Sequence, residues 1–364
     1  MKDKALQFWS LLTDSLDWWL LIIVSMLLTL GLVVLYSAAY DIQHRFNDQL
    51  RNIVVAFGVL WVTSKVPPQL LSRFAVPIYV IGVTLLIAVA LFGIVKKGAR
   101  RWVNVGLVIQ PSEIMKIAMP LMLAWYFHQR EMFLRFYDYA IALALLAVPV
   151  ALIARQPDLG TAILVLGAGS YVIFFAGLSW KVMLALAVGT AASMPLVWGM
   201  LHDYQRERVL TLLDPASDPL GKGFHIIQST IAVGSGGITG KGWLHGTQAH
   251  LEFIPERHTD FIFAVWSEEF GLAGNVLLLV LYLALIGRGL FIASGAPTLF
   301  ARLLAGAITL ILFTYAFVNM GMVSGILPVV GVPLPMLSYG GTALVTQFLG
   351  IGILMSISRH KKVV

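Results

Sequence analysis

Residues 18–39 read WWLLIIVSMLLTLGLVVLYSAA, an apolar run without a single charge. At about 1.5 Å per helical residue, roughly 20 such residues cross the ~30 Å hydrocarbon core of a bilayer. The run is long enough to span and lacks a small-residue cleavage pattern behind a short core, so it reads as a first transmembrane helix rather than a leader. The remainder of the chain has the same character. Of 364 residues, 59% are hydrophobic and 12% charged, against about 45–50% and about 25% in a soluble domain. The absence of cysteine excludes a disulfide framework, a thiolate nucleophile and any Cys-ligated metal. The net charge of +7 is scattered between apolar stretches, which points to anionic or phosphorylated lipid as partner and away from nucleic acid.

The same length criterion predicts helices near 17–39, 49–65, 74–95, 112–128, 138–154, 158–177, 181–201, 260–287, 301–327 and 340–358. The expected fold is an all-α integral membrane protein. It is a polytopic bundle of about ten transmembrane helices, one domain over 1–364, with one large extracytoplasmic loop at about 202–259 between helices 7 and 8. Gln156-Pro157 separates the fifth and sixth helices, with Asp158 opening the sixth, and predicts a tight hairpin there. Lys2, Lys4, Arg359, Lys361 and Lys362 assign both termini to the cytoplasm. Lys96, Lys97, Arg100 and Arg101 then fall in a short outer loop, against the usual bias, as if something anionic outside required them. The long loop holds five of the eight histidines. Its Phe224–Val233 stretch is apolar enough for a short interfacial helix, and the following Gly234-Ser235-Gly236-Gly237 turn offers backbone amides to an anion.

Asp260 stands where that polar loop returns to apolar sequence, within PERHTDFIF at 255–263. A carboxylate at the mouth of a membrane helix is costly to desolvate and asks for a partner, a cap or a reaction. Either it or Thr259 caps the eighth helix, or Asp260 is a general base at the boundary between water and membrane. Glu113 and Lys116, three apart at the start of the fourth helix, share a face. They form a packing ion pair, or leave Lys116 to meet a phosphate. Arg101, with Arg100, Lys96, Lys97 and Trp102, is an interfacial anchor or part of a site for a diphosphate headgroup. Asp158 is most simply a helix N-terminal charge favoured by the dipole. Glu268 and Glu269 are adjacent and cannot share a helical face, so at least one points into the bundle. The histidines lack metal-ligand spacing, and no H-E-x-x-H, G-x-S-x-G or Walker pattern is present.

Residues 319–343, NMGMVSGILPVVGVPLPMLSYGGTA, resemble the C-terminal signature of the SEDS family of shape, elongation, division and sporulation proteins. QPDLGT at 156–161, QPSEIMK at 110–116 and PERHTDFIFAVWSEEFG at 255–271 fit the same family in the expected order. The loop sequence at 218–261 is similar to its rod-shape branch rather than its division branch. The resemblance implies a peptidoglycan glycosyltransferase that polymerises lipid II on the outer face of the bacterial inner membrane during cell elongation. It implies a class B penicillin-binding protein and the elongation machinery as partners. It also implies a catalytic role for the acid at Asp260, functional importance for Glu113 and Lys116, and membership of another family motif for Asp158. Such a transfer needs a base for the acceptor hydroxyl and charge neutralisation for the departing diphosphate. Lys116, Arg101 or a divalent cation, Mg²⁺ or Mn²⁺, would supply the latter. Two rival readings are a flippase for a lipid-linked precursor and a noncatalytic scaffold for a penicillin-binding protein. A flippase needs a polar path through the midplane, where this chain offers only Glu268 and Glu269; a scaffold would tolerate Asp260→Asn.

Overall fold

In the computed structural model, the apolar runs fold as helices whose ends coincide with breaks in apolarity. The structure describes residues 16–360, apart from 41–42, 97–98, 105–107, 132–133, 157, 179, 201–202, 219–221, 252 and 255. The helices are α1 (Trp18–Ala38), α2 (Gln43–Ser64), α3 (Pro68–Phe92), α4 (Pro111–His128), α5 (Phe136–Arg155), α6 (Leu159–Phe175) and α7 (Trp180–Met200). They continue with α8 (Asp203–Leu213), α9 (Lys222–Ser235), α10 (Thr247–His250), α11 (Ile262–Ser294), α12 (Leu299–Val323) and α13 (Gly341–Arg359). Six of them, α1, α3, α5, α11, α12 and α13, are long and apolar enough to cross a membrane. The chain is a nearly all-helical membrane protein. Lys2, Lys4, Lys97, Pro157, Pro255, Lys361 and Lys362, used above in the sequence argument, lie outside the described residues, as does the side chain of Lys96.

Helix α12 is the core of the bundle. In its most apolar window 78% of residues are buried, against 28–39% in α1, α3, α5 and α11. It packs on α11, α6 and α4, while α13 lies along α2. Small residues permit these approaches, as membrane helices pack by close backbone contact rather than by hydrophobic exclusion. A Cβ at Gly306 would stand 2.9 Å from the Phe175 ring of α6. At one end of the bundle Asp17 caps α1, accepting from the Leu20 amide at 3.2 Å. It also receives the Arg288 guanidinium of α11 at 2.6 and 3.1 Å and the Ser358 hydroxyl of α13 at 2.8 Å. Burial alone would raise the Asp17 pKa, but these donors outweigh it and hold the carboxyl below its ordinary value. Three helix ends are thereby tied together.

Two features depart from the sequence expectation. The first is a small antiparallel sheet, β1 (Ile94–Lys96), β2 (Ala99–Asn104) and β3 (Val108–Ile109), between α3 and α4. Its strands are too short and too charged to show a period-2 pattern, so the expectation of a purely helical chain missed it. The second concerns the glycine-rich turn, within which the Gly237 amide donates to the Gly234 carbonyl at 3.4 Å and whose continuation meets a break in α11. Helix α11 is interrupted at Gly271 (φ 62°, ψ −160°), and residues 236–242 are stitched into the break. Lys241 and Gly242 donate to the carbonyls of Glu268 and Glu269 at 3.0 Å, while Leu272 and Ala273 donate to Gly237 and Ile238 at 2.9 Å. A Cβ at Gly271 would stand 2.3 Å from the Gly240 nitrogen, so this contact admits only glycine. The loop thus satisfies backbone groups freed by the break. Glu268, fully buried, anchors the same loop through Lys241 at 2.7 Å and the Thr247 and Gln248 amides.

Candidate active site

Helix α11 is capped at Phe261, with no side-chain hydrogen bond at that cap. Asp260 is therefore not its N-cap, and Thr259 turns its hydroxyl back to the Glu256 carbonyl at 3.1 Å. The turn that carries Asp260 is instead held by its backbone. The His258 carbonyl accepts from the Tyr339 amide at 2.8 Å, the Thr259 carbonyl from the Ser338 hydroxyl at 2.6 Å, and the Asp260 carbonyl from Asn319 Nδ2 at 2.8 Å. Three consecutive carbonyls are thus fixed by donors from α12 and the segment after it. Asn319 is wholly buried, and its amide nitrogen also donates to the Val332 carbonyl at 2.7 Å. The carboxylate itself is half-buried beside Gly331, where a Cβ would lie 3.2 Å from Oδ2. Gly331 has φ +72°, a left-handed conformation that favours glycine.

The remaining predicted residues are Glu113 and Lys116 on α4, Arg101 on β2 and Asp158 at the start of α6. Asp158 caps α6, accepting from the Thr161 amide at 3.3 Å, which bears out its simplest reading. It also accepts from Gln110 Nε2 at 3.0 Å and faces Arg101 at 3.9 Å. Gly160, two residues on, packs so closely that a Cβ would meet the Val330 carbonyl at 2.7 Å. Arg101 reaches this cluster because alternation along β2 puts it on the opposite face from Arg100. Arg101 Nε donates to the Gln156 carbonyl, and Arg100 turns to the Ala90 carbonyl, both at 3.4 Å. Of the four cations grouped in the sequence, the two whose side chains are described, Arg100 and Arg101, therefore part. Lys116 pairs with Glu113 at 2.6 Å and with the Tyr315 hydroxyl, and Glu113 accepts from Thr346 at 3.3 Å. The ion-pair reading of Glu113 and Lys116 holds, and it ties α4 to α12 and α13.

Sequence reasoning missed Tyr315 and Asn319, which stand four apart on α12 and so on one face. Tyr315 reaches the Lys116 cluster and Asn319 the Asp260 turn. Polar residues at that spacing in an apolar helix were the available signal. A second neighbour of the turn is His225 of α9, whose ring lies 6.1 Å from that of Phe261. Burial pushes its pKa below the ordinary value, so the imidazole is neutral at neutral pH. Arg208 of α8 donates to the Val329 carbonyl at 2.9 Å, bringing a guanidinium to the same segment. Among the described residues no three of His, Cys, Asp or Glu converge to hold a metal ion.

Residues 18–363 match the FtsW/RodA/SpoVE family, described as cell cycle proteins. The chain belongs to this family. It is 52% identical to the peptidoglycan glycosyltransferase MrdB of Escherichia coli K12 over 349 residues, covering 95% of this chain and 94% of that protein. It is 36% identical to stage V sporulation protein E of Bacillus subtilis, covering 96% and 98% of the two chains. Among solved structures, a chain from a peptidoglycan synthase complex that coordinates polymerisation and crosslinking superposes with TM-score 0.83 at 36% identity, over 96% and 99% of the two chains. The crystal structure of the rod shape determining protein RodA from Thermus thermophilus superposes with TM-score 0.72 at 31% identity, over 95% and 97%. The family expected from the motifs is the family found.

Proposed function

We propose that this membrane-embedded peptidoglycan glycosyltransferase polymerises lipid II into glycan strands during cell elongation, with Asp260 as the general base. The observation that carries the assignment is the Asp260 turn. Its carboxylate is half-buried and not spent on capping α11, while its backbone is fixed at three consecutive carbonyls. That is the arrangement expected of a group held for reaction. Asp260 takes the proton of the N-acetylglucosamine 4-hydroxyl of an incoming lipid II. The oxygen attacks the anomeric carbon of the strand's terminal N-acetylmuramic acid with inversion. The bond from that carbon to the diphosphate oxygen breaks, and its electron pair leaves on the polyprenyl diphosphate.

The leaving diphosphate needs cations, and burial separates the candidates. The Lys116 side chain is 3% exposed and held by Glu113 and Tyr315, whereas that of Arg101 is 32% exposed and lies 3.9 Å from Asp158. Arg101 therefore binds the diphosphate, matching its planar fork to phosphate oxygens. Glu113, Lys116 and Asp158 shape and neutralise the wall behind it. Mg²⁺ or Mn²⁺, if used, would come with the diphosphate, since the described residues build no cage for it; no step here is routed through a metal. In this reading α2, α4, α6 and α7 also span the membrane, for ten spans in all. Residues 202–259 then lie outside the cytoplasm, the inner membrane is the location, and a class B penicillin-binding protein is the crosslinking partner.

The test is glycan-strand formation from labelled lipid II by the purified protein with such a partner, comparing the parent with Asp260→Asn at matched folding and partner binding. Polymer from the parent alone supports the assignment. Equal polymer from both removes Asp260 as base. Headgroup translocation by an Asp260→Ala protein that makes no polymer would favour a flippase, and full function of Asp260→Asn in a reconstituted partner complex would favour a scaffold.

A further inference from the structure

Beside the Asp260 turn, and outside the machinery described so far, lies a pocket of about 250 Å³ lined by Tyr36, Ala39, Tyr40, Phe46 and Asn47, which bring phenol hydroxyls and an amide as well as apolar rings. The rings are arranged around one another. Tyr36 meets Phe46 edge-on at 5.6 Å and Trp243 at 5.8 Å, and Trp243 is fixed by its indole N–H on the Val33 carbonyl at 3.0 Å. Tyr36 and Tyr40 are 51% and 43% exposed, so part of each side chain is accessible beside the pocket.

The pocket is joined directly to the reacting carboxylate's turn. Arg257 donates to the Ala38 carbonyl at 2.8 Å and lies over the Tyr40 ring at 5.4 Å. Arg45, next to Phe46, lies 2.8 Å from His258 Nδ1. Residues 257 and 258 are three and two positions before Asp260. A concave site with aromatic faces, an amide and phenol hydroxyls suits a ligand with one apolar face and a rim of hydroxyls and acetamides. A pyranose has that form, packing its axial C–H face on a ring and its equatorial groups on polar atoms. Isolated Tyr and Trp anchors at a membrane interface do not need a shared cavity or an exposed Asn47.

We propose that Tyr36, Tyr40, Phe46 and Asn47 form an accessory saccharide subsite that holds an N-acetylated sugar of the glycan strand one or more units from the bond being made. The inference rests on the polymerase reading above and deepens it. Binding energy from sugars remote from the reacting centre keeps a strand engaged between additions. Tyr36 and Asn47 line the pocket and stand outside the 257–260 turn, so their loss shortens strands more than it slows the joining of two units.

Binding is tested on the full chain carrying Asp260→Asn, titrated calorimetrically with a soluble tetrasaccharide of alternating N-acetylglucosamine and N-acetylmuramic acid. The Asp260→Asn protein is expected to bind, and adding Tyr36→Ala or Asn47→Ala to weaken binding about tenfold and several-fold, with thermal unfolding unchanged. Tyr40→Ala serves only as a further variant, because it also supports Arg257. In the otherwise native chain with its partner, Tyr36→Ala is expected to shorten strands at an unchanged initial rate. Equal tetrasaccharide binding by all variants would overturn the proposal and leave the rings as interfacial anchors. Unchanged binding with lost capture of the crosslinking partner would overturn it in favour of a protein interface. Because binding is read on protein that needs no catalysis, failure of the base assignment would appear in the polymer assay and not in this one.

Discussion

Asn319 is the residue whose loss should separate the geometry of the Asp260 turn from its chemistry. Its Nδ2 donates to the carbonyls of Asp260 and Val332 at 2.8 and 2.7 Å, and the side chain is wholly buried. Asn319→Leu keeps nearly the same volume, so the cavity term is small and the hydrogen bonds dominate. Each buried carbonyl left without a donor costs about 1–3 kcal/mol, or about 2–6 kcal/mol for the two. Among the described residues the Oδ1 atom of Asn319 has no hydrogen-bond partner, so removing it recovers part of its own desolvation cost and places the net loss near the lower end, about 2–4 kcal/mol. That should be visible as a lowered unfolding midpoint in detergent. The effect on catalysis should exceed what lost protein explains. Displacement of a reacting group by about 1 Å costs on the order of 10²-fold in rate, measured as polymer formed per folded molecule. Asn319→Asp, with the same shape but without the two N–H donors, should behave similarly. Parent-like unfolding and polymerisation by Asn319→Leu would refute the claim that this amide positions the base.

Gly331→Ala should place a methyl 3.2 Å from Asp260 Oδ2 at φ +72°; strain of about 1–2 kcal/mol and a displaced carboxylate should lower polymerisation at least tenfold while the protein still folds. Lys116→Met leaves Glu113 without its 2.6 Å partner and should destabilise by about 3 kcal/mol. Adding Glu113→Gln should recover most of the unfolding midpoint without restoring activity, and failure to recover it would show that the pair is not the stabilising element. His225 has a folded pKa below its ordinary 6.5, so the unfolded chain binds its proton first as pH falls. Its contribution is fully present above about pH 6.5 and is lost toward the folded value; melting curves across this range should flatten in His225→Phe relative to the parent.

The apolar run at 18–39 was enough to recognise a membrane helix, because length and absence of charge are local properties. The pairing of Glu113 with Lys116 was equally legible, since three residues on a helix fix proximity without knowledge of the fold. The place of Asp158 at a helix N-terminus followed from the breaker at 156–157, while its capping bond to the Thr161 amide is a finding of the structure. What could not be read depended on distant chain. The turn at 234–237 was expected to offer its amides to an anion, but nothing local showed that the residues continuing it are stitched to the Gly271 break, as where the Lys241 amide donates to the Glu268 carbonyl 27 residues away. Gly271 itself looked like any glycine in an apolar helix. Asp260 was conspicuous at the end of the polar loop, but its local sequence left capping and catalysis open. The family resemblance favoured catalysis, and the cap at Phe261 removed the local alternative.

Glu113 is neutralised by Lys116, and Asp158 faces Arg101. In the proposed reaction, a diphosphate that draws on Lys116 or Arg101 shares a cation already facing a carboxylate. Taking Lys116 would strand Glu113 in a poorly solvated site and break the contact with Tyr315, whose helix also carries Asn319 and thus the Asp260 turn. Sharing Arg101 disturbs less. Its 3.9 Å approach to Asp158 is loose, and Asp158 keeps the Gln110 amide and the Thr161 N–H when the guanidinium turns away. The tighter pair ties α4 to α12, and in the proposed reaction the looser pair exchanges with substrate. On this argument Arg101→Ala should impair diphosphate binding with little loss of fold, whereas Lys116 substitutions should lose both together.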